Sequence, residues 1–406
     1  MATEVEPHAE RSDNPRDRAA TPAGIRDASH YAPQLESLRG VAILLVAFFH
    51  ADGMLSVGPQ TVTGTWVSPL AAFVHAGHTG VTLFFVLSAF LLSRPFLVEA
   101  AGGRPVSRRR FFARRALRIL PLYWTVVIVS TLLTMRTGDF KLQDGIPYLF
   151  FLNSFSGFAE PMFPFSDVWW SLATEAQFYL ALPLLTLLLL SRPGRWVFLA
   201  LLVLYSGCYY AVVSSGSGWI QSGLSISLFG RGYSFLIGVA AAWIYGRWGA
   251  RLQECCSQWW PLRWGGSDLI LLAVILCQGL LLREVAFRGF FDAEHTWNEW
   301  HILESFFWGL LVLIVLVAPL RLGFLFSNRL LGAVGLLSYS MYLVHFPIIF
   351  FVLYRFSAVN PEAYQGWTAT SFGAVLLCIG LSLALSTLTY LAIERPVLRR
   401  KARIGD

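Results

Sequence analysis

Arg39 and His50 lie eleven residues apart at the two ends of an apolar run. In an α-helix this separation is about 20° more than three full turns, so both side chains lie on one face, about 16 Å apart along the axis. Guanidinium groups bind phosphate oxygens, and imidazole exchanges protons near neutral pH. The pair therefore indicates phosphate binding near Arg39 and proton transfer near His50, although headgroup anchoring and a hydrogen bond between helices also explain each residue singly.

Three more ionisable residues lie inside apolar runs, where such groups cost a few kcal/mol each. Glu175 follows the interfacial Trp170 by five residues, so it lies at about the depth of His50 and could fix the tautomer of that imidazole. The alternative is a structural pair between Glu175 and Arg231. Without that pair, Arg231 is a candidate anchor for an anionic or hydroxylated acceptor. His345 lies near mid-depth, where a hydrogen bond to a neighbouring helix would also explain it.

Arg115 and Arg118 belong to a basic segment and are three residues apart, which places them on one helical face. Most of this segment serves to anchor the chain on the cytosolic side, but these two arginines are candidate phosphate ligands. His75 and His78 share the same spacing, yet no further metal ligands accompany them. We therefore predict no metal site.

The composition favours a membrane protein, because 56% of the residues are hydrophobic and only 14% are charged. Apolar runs of spanning length predict an all-α polytopic membrane helical bundle of about ten transmembrane helices. The predicted spans are 38–57, 78–98, 117–135, 168–191, 196–213, 226–246, 267–283, 302–320, 335–355 and 369–391. Residues 146–155 are too few to span, and residues 107–118 are typical of an amphipathic helix lying on the cytosolic surface.

The distribution of basic residues predicts the topology, because cytosolic loops are rich in Lys and Arg. With both termini cytosolic, the opposite loops hold only Arg136, Lys141, Arg283, Arg288 and Arg355. The predicted organisation is a disordered cytosolic tail at 1–34, a membrane domain at 35–400 and a short cytosolic tail at 401–406. The net charge of +7 comes from basic residues clustered between apolar runs, which favours a lipid surface or an anionic cytosolic ligand over nucleic acid.

Six segments, taken in order, resemble acyltransferase family 3, a family of integral membrane O-acyltransferases. The resemblance covers about 35–400 and is carried by LRGVAILLVAFFH, GVTLFFVLSAFLLS, RRALRILPLYW, WSLATEAQFYLALPLL, LLSYSMYLVHFP and IERPVLRR. They include the family's basic residue and histidine with ten positions between them, its Arg-x-x-Arg and its closing Glu-Arg-Pro. Ala89 stands where the family usually has Gly, and Ala176 where it often has a second Glu.

The resemblance implies transfer of an acyl group, usually acetyl, from cytosolic acyl-CoA to a hydroxyl of a sugar-containing acceptor: an envelope glycan, a glycolipid or a macrolide. The protein would lie in the bacterial inner membrane and hold no permanently bound cofactor, with acetyl-CoA or another acyl-CoA as co-substrate. Arg39, Arg115 and Arg118 would bind the CoA phosphates, and the thioester would arrive near His50.

In this mechanism His50 is the general base on the acceptor hydroxyl, oriented or charge-compensated by Glu175. The oxyanion needs hydrogen-bond donors, for which Ser88, Asn153, Tyr342 and His345 are all candidates. A covalent acyl-serine or acyl-histidine intermediate stays open.

The main alternative is a transporter or flippase for a lipid-linked sugar or small solute, because ionisable residues at mid-depth and ten spans also suit transport. The sequence has no inverted repeat and no matching pair of helices broken by Gly or Pro. A membrane scaffold would explain neither the Arg39–His50 spacing nor the Arg115–Arg118 pair. We therefore expect an enzyme.

Overall fold

The computed structural model describes residues 32–55, 68–137, 140–154, 159–215, 223–288, 296–361 and 366–402. Almost all of the predicted N-terminal tail, up to residue 31, lies outside the described residues, as does the end of the chain from residue 403.

The described parts of the chain form α-helices joined by turns and short 3₁₀ or π segments. In chain order the helices are α1 Pro33–Leu55, α2 Ala72–His75, α3 Thr79–Ala100, α4 Arg108–Thr134, α5 Ile146–Leu149, α6 Trp170–Leu188, α7 Arg192–Ser215, α8 Leu228–Gln258, α9 Ser267–Arg288, α10 Thr296–Val317, α11 Arg329–Val359, α12 Ala369–Thr389 and α13 Arg395–Ala402. Ten helices in the described ranges are long and apolar enough to cross a membrane. The predicted polytopic helical bundle is confirmed.

The basic segment at 107–118 and the third predicted span form the single helix α4. The Ser107 side chain caps the start of this helix by accepting a hydrogen bond from the Arg110 backbone N–H. Arginine, alanine and leucine favour helix, and Pro121 is accommodated without ending it. The surface helix expected from the charge pattern is therefore continuous with a spanning helix, and it carries its arginines into the bundle.

Helix α1 lies at the centre of the bundle, where it packs most extensively along α11 and also contacts α3. Its buried side chains include Leu38, Ala42, Ile43, Val46 and Ala47. Small residues allow two helix backbones to approach closely where lipid offers no hydrophobic drive for association. The two backbones come close together at Gly40 and Gly335, where an added Cβ on either glycine would collide with backbone atoms of the opposite helix.

We expect Gly335→Ala to destabilise the protein by about 1–3 kcal/mol, the usual cost of overpacking a well-packed core. Its new methyl group would lie against the Glu36 carbonyl oxygen on α1, so the two helices would have to separate. Gly332→Ala is the matched control, because nothing lies within 4 Å of its added Cβ. Thermal unfolding in detergent compares the two variants, and equal melting temperatures would contradict this account of the α1–α11 contact.

Candidate functional site

A cavity of about 130 Å³ lies between α1, α3, α4, α6 and α11. It brings together six of the ten candidate residues, although they come from five separate helices. These six are Arg39, Ser88, Arg115, Arg118, Glu175 and Tyr342. His50, Asn153, Arg231 and His345 lie outside its lining.

Arg39 and Arg118 line the cavity and are each held in place by polar contacts. Arg39 donates a hydrogen bond of 3.1 Å to the Ser338 hydroxyl and lies 3.8 Å from the Glu36 carboxylate. Arg118 forms an ion pair of 2.8 Å with Glu394. Each guanidinium keeps further N–H groups, because arginine has five donors in a fixed fork.

Glu394 belongs to the closing Glu-Arg-Pro segment, to which the sequence analysis assigned no role. Its side chain is only 2% exposed, and its second oxygen accepts a hydrogen bond from Ser340 on α11. The guanidinium of Arg118 also lies over the Tyr339 ring, at 5.7 Å from the centroid. The C-terminal segment therefore positions one of the two arginines of the Arg-x-x-Arg motif.

Arg115 is less constrained than its neighbour Arg118. Its Nε atom is buried and has no hydrogen-bond partner within the described ranges. A buried guanidinium nitrogen without a partner costs free energy unless a ligand satisfies it. Arg115 on the cavity wall is therefore suited to an anionic ligand such as a phosphate.

Ser88 on α3 and Glu175 on α6 meet on the cavity wall. The Ser88 hydroxyl donates a hydrogen bond to Oε1 of Glu175. Tyr179, one turn further along α6, interacts with both side chains. Glu175 thus contacts a serine, not the His50 imidazole that its depth suggested.

His50 lies instead among aromatic side chains from α11. Its ring centroid is 5.4 Å from that of His345 and 4.7 Å from that of Phe346. Nδ1 of His345 lies 3.1 Å and 3.0 Å from the carbonyl oxygens of Met341 and Tyr342. Because carbonyls only accept, Nδ1 carries the proton and Nε2 is left as a buried acceptor with no described partner.

Two candidate oxyanion donors are already engaged or lie apart from the cavity. The Tyr342 hydroxyl donates to the Val168 carbonyl oxygen at 2.7 Å and accepts from Ser171 at 2.6 Å. The Tyr342 hydroxyl would have to break its hydrogen bond to the Val168 oxygen before it could donate one to an oxyanion. Asn153 lies in the short turn Leu152–Ser154, beside the Gln177–Ser154 hydrogen bond of 2.9 Å.

Arg231 and His78 belong to a second group of buried ionisable residues, two members of which the sequence analysis missed. The Arg231 guanidinium lies over the Trp170 ring at 5.8 Å, and the Glu175 carboxylate accepts a hydrogen bond from Ser88. His78 lies 3.5 Å from Glu304, and Thr82 donates to the same carboxylate at 3.2 Å. His301 and Glu304 are fully buried, and Glu304 could have been found because it falls inside the span predicted at 302–320.

The two histidines at 75 and 78 point to different partners, since His75 pairs with Asp52 and His78 with Glu304. Within the described ranges, no three His, Cys, Asp or Glu side chains come together as a metal site would require. The Asp52 carboxylate accepts from His75 at 2.8 Å and from the Trp367 indole N–H at 2.6 Å. This contact joins α1, α2 and the segment that precedes α12.

The hydrogen bond to Asp52 raises the pKa of His75 above its usual value. Protonated His75 therefore stabilises the fold below about pH 6.5, and this contribution is lost as the pH rises through the raised pKa. We expect the melting temperature of the wild type to fall more between pH 6 and pH 8 than that of His75→Gln. Parallel melting curves for the two proteins across this range would contradict the expectation.

Comparison with known proteins identifies the family. A family model described as "Acyltransferase domain" (Acyl_transf_3) matches residues 33–391. The chain is 25% identical over 386 residues to "Putative peptidoglycan O-acetyltransferase YrhL" of Bacillus subtilis (strain 168), covering 90% of this chain and 55% of that protein. It is 25% identical over 390 residues to "Putative O-acetyltransferase SACOL0978" of Staphylococcus aureus (strain COL), covering 90% and 57% of the two chains.

The chain is also 29% identical over 180 residues to "Nodulation protein 10" of Rhizobium leguminosarum bv. viciae. This shorter match covers 39% of this chain and 45% of that protein. The chain spans about half the length of the curated relatives it matches. No solved structure gives a significant match. The family model covers most of the chain, and the multi-pass helical bundle and the ordered motifs agree with it: the chain belongs to acyltransferase family 3.

Proposed function

We propose that this protein is an O-acyltransferase of the bacterial inner membrane, with both termini in the cytosol. It moves an acyl group, acetyl in the first instance, from cytosolic acyl-CoA to a hydroxyl of a sugar-containing acceptor. One observation carries the proposal: a single cavity is lined by Arg39, Arg115 and Arg118 together with the Ser88–Glu175 pair.

The arginines supply a binding site for the donor. CoA carries several phosphates, and arginine forks bind phosphate oxygens through paired, charge-assisted hydrogen bonds. The cavity, at about 130 Å³, is smaller than the roughly 300–1,000 Å³ of usual ligand pockets. It therefore suits a short acyl group and the end of the thiol arm, with the nucleotide left at the arginine end.

His50 is the proposed general base on the acceptor hydroxyl. It lies on α1, the same helix as Arg39, about 16 Å further along the axis. The contacts described above favour His345 as the neighbour that positions its ring. The carboxylate of Glu175 lies on the cavity wall, where it accepts a hydrogen bond from Ser88.

The acceptor class is proposed from the relatives, two of which carry names as O-acetyltransferases and one of these as acting on peptidoglycan. Peptidoglycan strands and their lipid-linked precursors are therefore the first acceptors to test. Other envelope glycans, glycolipids and macrolides follow.

The decisive experiment uses the purified chain in lipid nanodiscs with radiolabelled acetyl-CoA. CoA thiol release and label in the acceptor are measured together, with and without each acceptor. Acceptor-dependent transfer supports the enzyme. Solute counterflow in liposomes that contain no acyl donor, without transfer to any acceptor, would favour the alternative of a transporter.

Arg115→Ala is expected to raise the KM for acetyl-CoA by roughly 10- to 100-fold, because a hydrogen bond to a charged group contributes about 1.5–3 kcal/mol. Arg109→Ala is the matched control, since Arg109 is an exposed arginine of the same basic segment and does not line the cavity. Steady-state kinetics at saturating acceptor measure both. Equal KM values for Arg115→Ala and Arg109→Ala would contradict donor binding by Arg115 and leave membrane anchoring as its role.

A further inference from the structure

The Ser88–Glu175 pair has the geometry of a nucleophile and its base. Ser88 lies in the middle of α3, half-buried, with its hydroxyl on the cavity wall. Its O–H is donated to a carboxylate oxygen of Glu175, which is the direction of transfer that activation of a serine requires. A serine with only a packing role would not need a carboxylate as its hydrogen-bond partner.

The base is itself positioned by a third group, the usual companion of such a pair. Tyr179 is one helical turn from Glu175 on α6, and its side chain interacts with both Glu175 and Ser88. It is mostly buried and lines the same cavity. The three side chains thus form one constellation on the wall of the cavity that Arg39, Arg115 and Arg118 also line.

The surroundings suit an ester that must survive until an acceptor arrives. Phe84, Phe85 and Leu172 line the cavity beside Ser88. Apolar walls exclude water, which protects a reactive acyl intermediate from hydrolysis. The small volume of the cavity adds to this protection, since little water fits beside an acyl group in about 130 Å³.

His50 does not line the cavity, but two ring contacts connect it to the cavity wall. It contacts His345, whose ring lies 5.6 Å from that of Tyr342, and Tyr342 lines the cavity. Two separate acid–base sites are what a two-step transfer needs.

We propose that Ser88 is a catalytic nucleophile that carries the acyl group as an ester between release of CoA and transfer to the acceptor. This inference rests on the proposed function and deepens it. Ser88 serves there as the acyl carrier, and Glu175 as the base of the first step.

In the first step the Ser88 hydroxyl gives its proton to Glu175 while Oγ attacks the thioester carbonyl carbon. The carbon–sulfur bond then breaks, and the CoA thiolate takes the proton from Glu175, which leaves acyl-Ser88 and free CoA thiol. In the second step the acceptor hydroxyl gives its proton to His50 and attacks the ester carbon. Oγ of Ser88 leaves and receives that proton, so the enzyme is restored and no further reactant is needed.

The test is labelling of the full chain in nanodiscs with radiolabelled acetyl-CoA and no acceptor, quenched in acid and mapped by peptide mass spectrometry. We expect one acetyl ester on Ser88, formed with release of one CoA thiol and discharged when acceptor is added. Ser88→Ala should lose the label. Ser93→Ala, which removes a buried serine on the same helix outside the cavity lining, should keep it.

Two more variants distinguish a chemical role from a structural one. Ser88→Cys should carry its label as a thioester, which neutral hydroxylamine removes while it leaves the wild-type ester intact. His50→Ala should still acquire the label but fail to pass it to the acceptor. These readouts hold even if Ser88→Ala folds poorly, which its melting temperature would reveal.

Wild-type transfer to an acceptor with no acetyl on Ser88, or with acetyl on another residue, would overturn the inference and leave the proposed function standing. The same conclusion would follow if a folded Ser88→Ala turned over at the wild-type rate. Absence of both CoA release and product with every acceptor would instead overturn the proposed function, and the inference with it.

Discussion

His50→Ala is expected to lower kcat for acyl transfer by about 10²- to 10⁴-fold, the usual contribution of a positioned general base. The KM for acetyl-CoA should change little, because His50 does not line the cavity that we assign to the donor. The small alanine leaves the α1 backbone unaltered, and His345 keeps its hydrogen bonds to the carbonyls of its own helix. The measurement is steady-state transfer of label from acetyl-CoA to the acceptor.

His75→Ala is the matched control, since it removes a histidine that is bonded to α1 through Asp52 and lies outside the proposed site. It should retain the wild-type kcat at a temperature well below its melting transition. If His50→Ala, shown to be folded, also turned over at the wild-type rate, His50 would not be the base. A rise in KM alone would place His50 in donor binding instead.

Arg118→Ala is expected to destabilise the protein by about 3–5 kcal/mol, because it removes one partner of a buried ion pair. Glu394 would be left with a carboxylate that is 2% exposed and, among the described residues, retains only the Ser340 hydrogen bond. An unpaired charge in such a place cannot recover its lost hydration. Thermal or denaturant unfolding in detergent measures the loss.

The double variant Arg118→Ala/Glu394→Gln should recover much of that stability, because the neutral amide no longer needs the guanidinium. An equally unstable double variant would show that the packing of Arg118 on Tyr339, and not its charge, matters. Since Arg118 combines this structural role with the proposed phosphate contact, its substitution changes stability and donor affinity together. Arg115, whose Nε has no described partner, therefore reports on donor binding more cleanly.

The membrane architecture could be predicted closely because hydropathy acts on each segment independently. Every predicted span corresponds to one of the ten long apolar helices, although α8 and α11 extend beyond the predicted 226–246 and 335–355 by more than a few residues. The basic segment before the third span also differs from the prediction, since its arginines indicated a surface helix but continue into α4. Charge pattern indicates which residues avoid lipid, but not whether a helix ends between two such regions.

Residue types and their spacing along one helix were also sufficient to select Arg39 and His50, since helical geometry fixes their separation on α1. The same reasoning selected Arg115 and Arg118 on α4. Spacing along one helix could not predict which side chain Glu175 contacts. Depth along an axis says how far a residue lies from the interface, but not which way its helix is rotated or which helix is adjacent.

The order of the amino acids alone therefore determined the helices, their number and the residues whose burial needs a chemical reason. Only the packing of helices decided which of these residues meet. It placed Ser88 against Glu175, 87 residues away in sequence, Glu394 against Arg118, 276 residues away, and His345 against His50. The physical reason is that each side chain's partner depends on close contacts such as Gly40 with Gly335, which set the rotation and spacing of whole helices and leave no local trace in the sequence.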